Sequence, residues 1–377
     1  MLLAPDKFKS TLTAAEVADH LATGIRSVRP DVEIIVVPVS DGGDGLLTAA
    51  HRAGFERVSV HAAGPTGEVG ESSYIRRGSE AVIEMAEVCG LTRLPGHVLA
   101  PGTASSRGLG DVVADALDTG CTQILLGIGG SASTDGGAGM LRALGALVLD
   151  ADGEEIDDGG VALAQVARVD LSGLHRGLLE AAITVACDVD NPLTGPTGAA
   201  AVYGPQKGAS AEMVADLDRA MTGWADLIAA STGHDLREVP GAGAAGGTGF
   251  GAMAVLGATL KPGTEVVQQL TGLEQHLAGV DLVITGEGSL DAQTLHGKAS
   301  AGVAAAARRA GVSVVAVAGR CLLDLPTLEQ AGIGGAYTLD DEASYPDESF
   351  DAPGPLLERI GARIAIQLLD RITGDWS

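Results

Sequence analysis

Three short segments set pairs of carboxylates inside glycine-rich loops: Asp41 and Asp44 in VPVSDGGDG, Asp188 and Asp190 in VACDVDNPLTG, and Glu287 and Asp291 in VITGEGSLDAQT. Each follows an aliphatic run that reads as a buried strand, so the strand fixes the loop and the loop presents the acids. Acids held this way suit cation coordination and proton transfer. A single Asp is accounted for as well by an N-cap or an Asx-turn. Three such loops are harder to explain so, because lysines accompany them. The chain has only five, Lys7, Lys9, Lys207, Lys261 and Lys298, and arginine fills the other basic positions. Lys7 and Lys9 follow the first strand in APDKFKS, Lys207 sits in GPQKGA, and Lys298 stands at the start of a helix after HGK. A compact ammonium is a good phosphate partner, and as a set these lysines favour binding polyanions.

Two further loops are built of small residues. In QILLGIGGSASTDGGAGMLRALG a strand pattern breaks into Gly129, Gly130, Ser131, Ala132, Ser133 and Thr134 before a helix expected to begin near Asp135. Small residues let backbone N–H groups converge on one point, and a helix N-terminus adds partial positive charge, which makes an anion site. The alternative is a tight strand-to-helix turn with Asp135 as its N-cap. In PGAGAAGGTGFGAMAVLG, Gly241, Gly243 and Gly246 match the G-x-G-x-x-G dinucleotide pattern. The polar, proline-ended STGHDLREVP before it stands where that pattern needs a buried strand, and no Walker motif occurs. Phosphate donors, lysines and strand-end acids together are the parts that phosphoryl transfer requires.

Elements to position these groups are legible at both ends of the chain. LLAP, TAAEVADHLATGIRSV, EIIVVPV, LLTAAHRA and RVSVHA read as strand, helix, strand, helix, strand; DLVITGEG, GKASAGVAAAARRAG, SVVAVAG and PGPLLERIGARIAIQLL read similarly. The fold class expected is α/β, with a discontinuous parallel-sheet domain over residues 1–64 and 281–377 and a second α/β domain inserted over 65–280. Two crossings between domains would leave a cleft, the usual place for a ligand. With 377 residues, two domains are the ordinary expectation, and 46% hydrophobic but 3% aromatic residues mean a core of Ala, Val, Leu and Ile. A formal net charge of -25 argues against nucleic acid or an anionic membrane as partner. The four cysteines form no C-x-x-C pair, and the start MLLAPDKFKS has no apolar signal region, so the location expected is cytoplasmic.

APDKFK, SDGGDG, GIGGSASTDGGAG, DVDNPLTGPTGAA with YGPQKGA, PGAGAAGGTG and ITGEGSLDAQTLHGK occur in the same order as in the type-1 glycerate kinase family, which the chain resembles over essentially its whole length. The resemblance implies ATP-dependent, Mg2+-assisted phosphorylation of D-glycerate, generally at the 2-hydroxyl. It also implies a discontinuous Rossmann-like or flavodoxin-like domain with an inserted α/β domain. Carried over by position, the candidates are Asp6, Lys7, Lys9, Asp41, Asp44, Ser131, Asp135, Asp188, Asp190, Asn191, Lys207, Glu287, Asp291 and Lys298. The chain departs from the family pattern at Ser10, where Gly is expected, at Asp44, where Glu is usual, and at Ser289, where Arg is common; Arg320 stands where a small residue is frequent. Arg320 is therefore a candidate to supply the anion-binding guanidinium that Ser289 does not.

The mechanism expected assigns ATP phosphates to Gly129, Gly130, Ser131 and Asp135 and to Gly241, Gly243 and Gly246. Asp188 or Asp190 is the general base, with Lys7 beside them in catalysis; Asp6, Lys9, Asn191, Lys207, Lys298 and Arg320 bind substrate, and Asp41, Asp44, Glu287 and Asp291 hold Mg2+. The molecule is expected to act as a monomer or homodimer. Two rivals remain at this point: a nicotinamide-dependent dehydrogenase using Gly241 to Gly246, and a non-catalytic sensor of a phosphorylated metabolite.

Overall fold

The computed structural model describes residues 1–8, 11–39, 46–292, 294–296, 299–345 and 347–372. In chain order its strands are β1 (Leu2–Pro5), β2 (Ile35–Val36), β3 (Glu56–Ala63), β4 (Val69–Arg77), β5 (Glu80–Glu84), β6 (Gln123–Gly127) and β7 (Leu147–Leu149). They continue with β8 (Arg168–Asp170), β9 (Ala182–Ala186), β10 (Thr259–Lys261), β11 (Leu282–Leu290), β12 (Ser313–Cys321) and β13 (Ala336–Thr338). The chain divides into two compact units, Met1–Asp41 with Thr264–Ser377, and Gly42–Gly263. Among the described residues no helix is long and apolar enough to cross a membrane.

The first unit is built on a parallel sheet in the order β13-β12-β11-β1-β2. Side chains alternate across it, as strand geometry demands. Leu3, Ile284, Val315 and Val317 pack beneath the helices Ala14–Val28 and Pro353–Ile372. Leu2, Ala4, Val283 and Ala316 pack on the other side with Val303, Ala304 and Ala307 of the helix Ala299–Ala310. Ala14–Val28 begins where TLTAAE predicts: the Glu16 amide donates to Thr13 Oγ1, and the Glu16 carboxylate accepts from the Thr13 amide at 2.8 Å, a complete capping box. From β1 the chain moves to β2 on one side, and from β11 to β12 and β13 on the other. The strand order thus reverses between β1 and β11, where carboxyl ends open a crevice.

The second unit carries a sheet in the order β10-β9-β6-β5-β4-β3, parallel from β10 to β5 and antiparallel through β4 and β3. A separate two-stranded ribbon pairs β7 with β8. Its core gathers Tyr74, Met85, Leu126, Val185, Trp224 and Phe250. The helices Arg107–Asp118, Ala211–Thr232 and Ala244–Leu256 contribute to that core.

Two expectations about boundaries change. RVSVHA is not part of the first sheet: β3 pairs antiparallel with β4 over its full length, from Glu56 opposite Arg76 to Ala63 opposite Val69. The first crossing therefore lies at residue 41, not 64. The second lies at 263, not 280, because Leu273 and Leu277 are buried in the first unit's core. The EIIVVPV strand is regular only over Ile35–Val36, although the Val37 and Val39 amides still donate to the Leu3 and Pro5 carbonyls at 2.8 and 3.0 Å.

Candidate active site

In the first unit the nominated groups collect where the strand order reverses. β1 runs into Asp6 and Lys7, and β11 carries Glu287 and leads to Asp291. The Asp6 amide donates to the Gly286 carbonyl at 2.7 Å and Thr285 Oγ1 to the Ala4 carbonyl at 3.0 Å, which joins the two strand ends. The Asp6 carboxylate accepts from the Lys7 amide at 2.7 Å. Glu287 is buried, whereas Asp291 starts a turn closed by its amide on Thr294 Oγ1 at 3.1 Å. The β11–β12 register sets Ser289 opposite Arg320, and Arg320 Nε donates to Ser289 Oγ at 3.3 Å. The Arg320 guanidinium thus stands beside residue 289. Lys9, Ser10, Asp41, Asp44 and Lys298 lie outside the described residues.

In the second unit the candidates follow the carboxyl ends of β6 and β9. The loop after β6 differs from its sequence reading in two ways. Its helix, Ala138–Ala143, starts three residues after Asp135, and the anion at its N-terminus is the chain's own. Asp135, 1% exposed, accepts from the Ser106 amide and hydroxyl at 2.8 Å each and from the Gly137 and Gly139 amides at 3.2 Å each. Burial raises its carboxyl above the ordinary range, and those four hydrogen bonds oppose the rise. Asp135 is therefore an internal staple of the loop and not a ligand contact. Lys207 differs similarly: it is 2% exposed, and its Nζ donates to Ser131 Oγ at 2.8 Å and to the Ser133 carbonyl at 2.5 Å. It lies beneath the loop and does not face solvent as a glycerate contact would.

The 241–249 segment holds no strand-loop-helix unit, so the dinucleotide reading fails on geometry. Its glycines serve close packing. A Cβ on Gly246, at φ +67, would lie 2.1 Å from the Ser133 carbonyl oxygen, and one on Gly243 would lie 2.3 Å from that of Pro192. Gly136 N donates to the Gly246 carbonyl at 2.9 Å and Gly243 N to that of Asn191 at 2.8 Å. The segment thereby ties the loop after β6 to the loop after β9. That second loop separates its acids. Asp188 Oδ1 accepts from the Gly263 amide at 2.9 Å, whereas Asp190 is exposed, and no described residue engages it in a hydrogen bond or ion pair. Asn191 is held internally: Tyr203 donates its hydroxyl to Asn191 Oδ1 at 2.6 Å, and Asn191 Nδ2 donates to the Thr197 carbonyl at 2.8 Å.

Ser106, Tyr203 and Trp224, whose Nε1 donates to the Gly136 carbonyl at 3.1 Å, escaped the sequence reading. Only the position of Ser106 just before RGLGDVVADAL offered a local signal, that of a helix start. The groups brought together after β6 and β9 are a buried cation, a braced small-residue loop and an accessible carboxylate.

The model of the glycerate kinase family matches residues 1–369. The chain belongs to that family. It is 42% identical over 372 residues to the glycerate 2-kinase of Escherichia coli K12, covering 98% of this chain and 97% of that protein. A glycerate kinase of Bacillus subtilis 168 is 41% identical over 374 residues, with 98% and 97% covered. A crystal structure of a candidate glycerate kinase 2 from Salmonella typhimurium LT2 superposes with a TM-score of 0.87 at 40% identity, covering 99% of each chain. Membership in the glycerate kinase family makes the chain a kinase, an enzyme of the transferase class, with ATP the phosphoryl donor that a kinase family implies.

Proposed function

We propose that the chain transfers the γ-phosphoryl group of ATP to the 2-hydroxyl of D-glycerate, forming 2-phosphoglycerate and ADP. The observation that supports this reading best is the buried Lys207 ammonium bonded beneath the loop after β6, in a chain of net charge -25. A desolvated cation there gives an acidic molecule a place for phosphate. Gly129, Gly130 and Ser131 are the loop residues assigned to ATP phosphates, with Asp135 fixing the loop from within.

In the reaction the 2-hydroxyl oxygen bonds to the γ-phosphorus while the bond to the β,γ-bridging oxygen breaks, and ADP departs with that oxygen. Asp190 accepts the hydroxyl proton. Both acids are exposed, and Asp190, which no described residue engages in a hydrogen bond or ion pair, is favoured over Asp188, whose carboxylate holds the Gly263 amide. Lys7 is assigned to charge building on the transferred group, and Arg320 with Asp6 to the carboxylate and hydroxyls of glycerate. Glu287 and Asp291 offer hard carboxylate oxygens that suit Mg2+. Among the described residues no three His, Cys, Asp or Glu side chains gather to hold a metal. Mg2+ needs only one or two protein carboxylates when phosphate oxygens and water complete its shell. When bound, the ion would neutralise phosphate charge.

Single-turnover and steady-state rates of Asp188→Asn and Asp190→Asn test the base. The expected outcome is a kcat lower by roughly two to four orders of magnitude for Asp190→Asn, with ATP affinity little changed. A near-normal kcat in that variant would remove Asp190 from the mechanism.

A further inference from the structure

Lys207 was nominated for substrate, yet its surroundings point to another task. It ends Pro205–Lys207, a single helical turn closed by Gly208 at φ +96, so the side chain projects from a rigid corner. Its Nζ reaches Ser131 Oγ at 2.8 Å and the Ser133 carbonyl at 2.5 Å, the third and fifth residues of the small-residue run that begins at Gly129. The loop's opposite side is gripped by other elements: Leu91 N donates to the Gly130 carbonyl at 2.9 Å and Ala132 N to that of Cys89 at 3.2 Å. Within the same run the Ser133 and Thr134 hydroxyls are buried, and among the described residues neither has a hydrogen-bond partner. Buried hydroxyls left in that condition cost stability, so the loop keeps this shape at an energetic expense that its other contacts offset.

We infer that Lys207 is a positioning residue, whose buried ammonium fixes the 129–135 loop in its phosphate-accepting shape and itself touches neither ATP nor glycerate. This rests on the reading of that loop as the ATP phosphate site. The titratable groups that face the ammonium are Asp135, which favours its charge, and the Cys89 thiol, which burial pushes up to about 12 and so keeps neutral. Desolvation lowers the Lys207 ammonium from its ordinary 10.5 to about 8, against the pull of Asp135. The grip on Ser131 therefore weakens as pH rises through about 8, and ATP use weakens with it.

Lys207→Met removes the charge and keeps most of the volume. The expected result is an ATP KM at least about tenfold higher, a D-glycerate KM within about twofold of the original, and loss of the alkaline fall in kcat/KM for ATP. A glycerate KM that rises more than the ATP KM would mean direct substrate contact and would overturn the inference; so would an unchanged ATP KM. Nζ resonances of isotope-labelled lysine in the unmutated full chain decide the matter if the variant does not fold, since only five lysines need assigning. The Lys207 signal should titrate near pH 8 and move upward with ATP but not with D-glycerate alone. A response to glycerate alone, or to neither ligand, contradicts a positioning role. Gly130→Asp against Gly130→Asn tests the underlying reading separately, because both side chains tolerate positive φ and only one is charged. If Asp weakens ATP no more than Asn, the loop is not the phosphate site, whatever Lys207→Met shows.

Discussion

Asp135 and Lys207 show how far a residue's type can be read without its burial. Both stand in glycine-rich motifs, and both look like ligand contacts until burial assigns them to the loop's interior. Removing Asp135 leaves the Ser106, Gly137 and Gly139 amides without their acceptor, so Asp135→Ala should cost roughly 3 kcal/mol or more in denaturant unfolding, at about 1 to 3 kcal/mol per buried unsatisfied group. A loss below about 1 kcal/mol would show that the staple is dispensable. Lys207 predicts opposite trends for stability and function. Between pH 8 and 10.5 the unfolded chain keeps this proton and the folded chain releases it, so its contribution to stability rises with pH while ATP affinity falls. Below pH 8 the penalty for burying the charge is fully present. Comparing unfolding midpoints of the original chain and Lys207→Met across that window checks the sign. Arg320 was legible as a departure from a family pattern, but its contact with Ser289 needed the strand register. Arg320→Ala should raise the glycerate KM about tenfold and leave the ATP KM unchanged, as expected for one charge-assisted contact worth about 1.4 kcal/mol.

At the scale of elements, local patterns located most strands and helices, because β-branched runs, the Thr13 capping box and alanine-rich amphipathic segments are local signals. Sheet membership was not local. β3 alternates like any half-buried strand, and only its pairing with β4 places it in the second unit. The 241–249 glycines mimic a phosphate fingerprint for the same reason: glycine marks close backbone approach, and the sequence does not say to what. Here it is approach to Ser133 and Pro192. Gly246→Ala should therefore disturb the loop after β6, with a stability loss of about 1 to 3 kcal/mol and a raised ATP KM, since the new Cβ meets a carbonyl and the backbone is left-handed. Wild-type ATP kinetics in this variant would show that the two loops are not coupled. Tyr203→Phe removes the hydroxyl that holds Asn191 and should cost about 1 kcal/mol of stability with a smaller effect on kcat than Asp190→Asn.

For the whole molecule, a surplus of acid, a chain long enough for two units and clustered glycines narrowed the class to a small-molecule enzyme. The ordered motifs narrowed it to one family, which the match over residues 1–369 shows. Among the described residues, Asp6, Lys7, Glu287 and Asp291 in one unit, and Gly129, Gly130, Asp188 and Asp190 in the other, stand at or just after the carboxyl ends of parallel strands, where α/β enzymes hold ligands. The chemical outcome is the central claim. Purified protein incubated with ATP, Mg2+ and D-glycerate should yield ADP and one new phosphomonoester, and proton-coupled phosphorus NMR identifies it. A doublet, from the single proton on the phosphorylated carbon, is the predicted signature of 2-phosphoglycerate; a triplet from 3-phosphoglycerate, or no phosphoglycerate at all, would contradict the account.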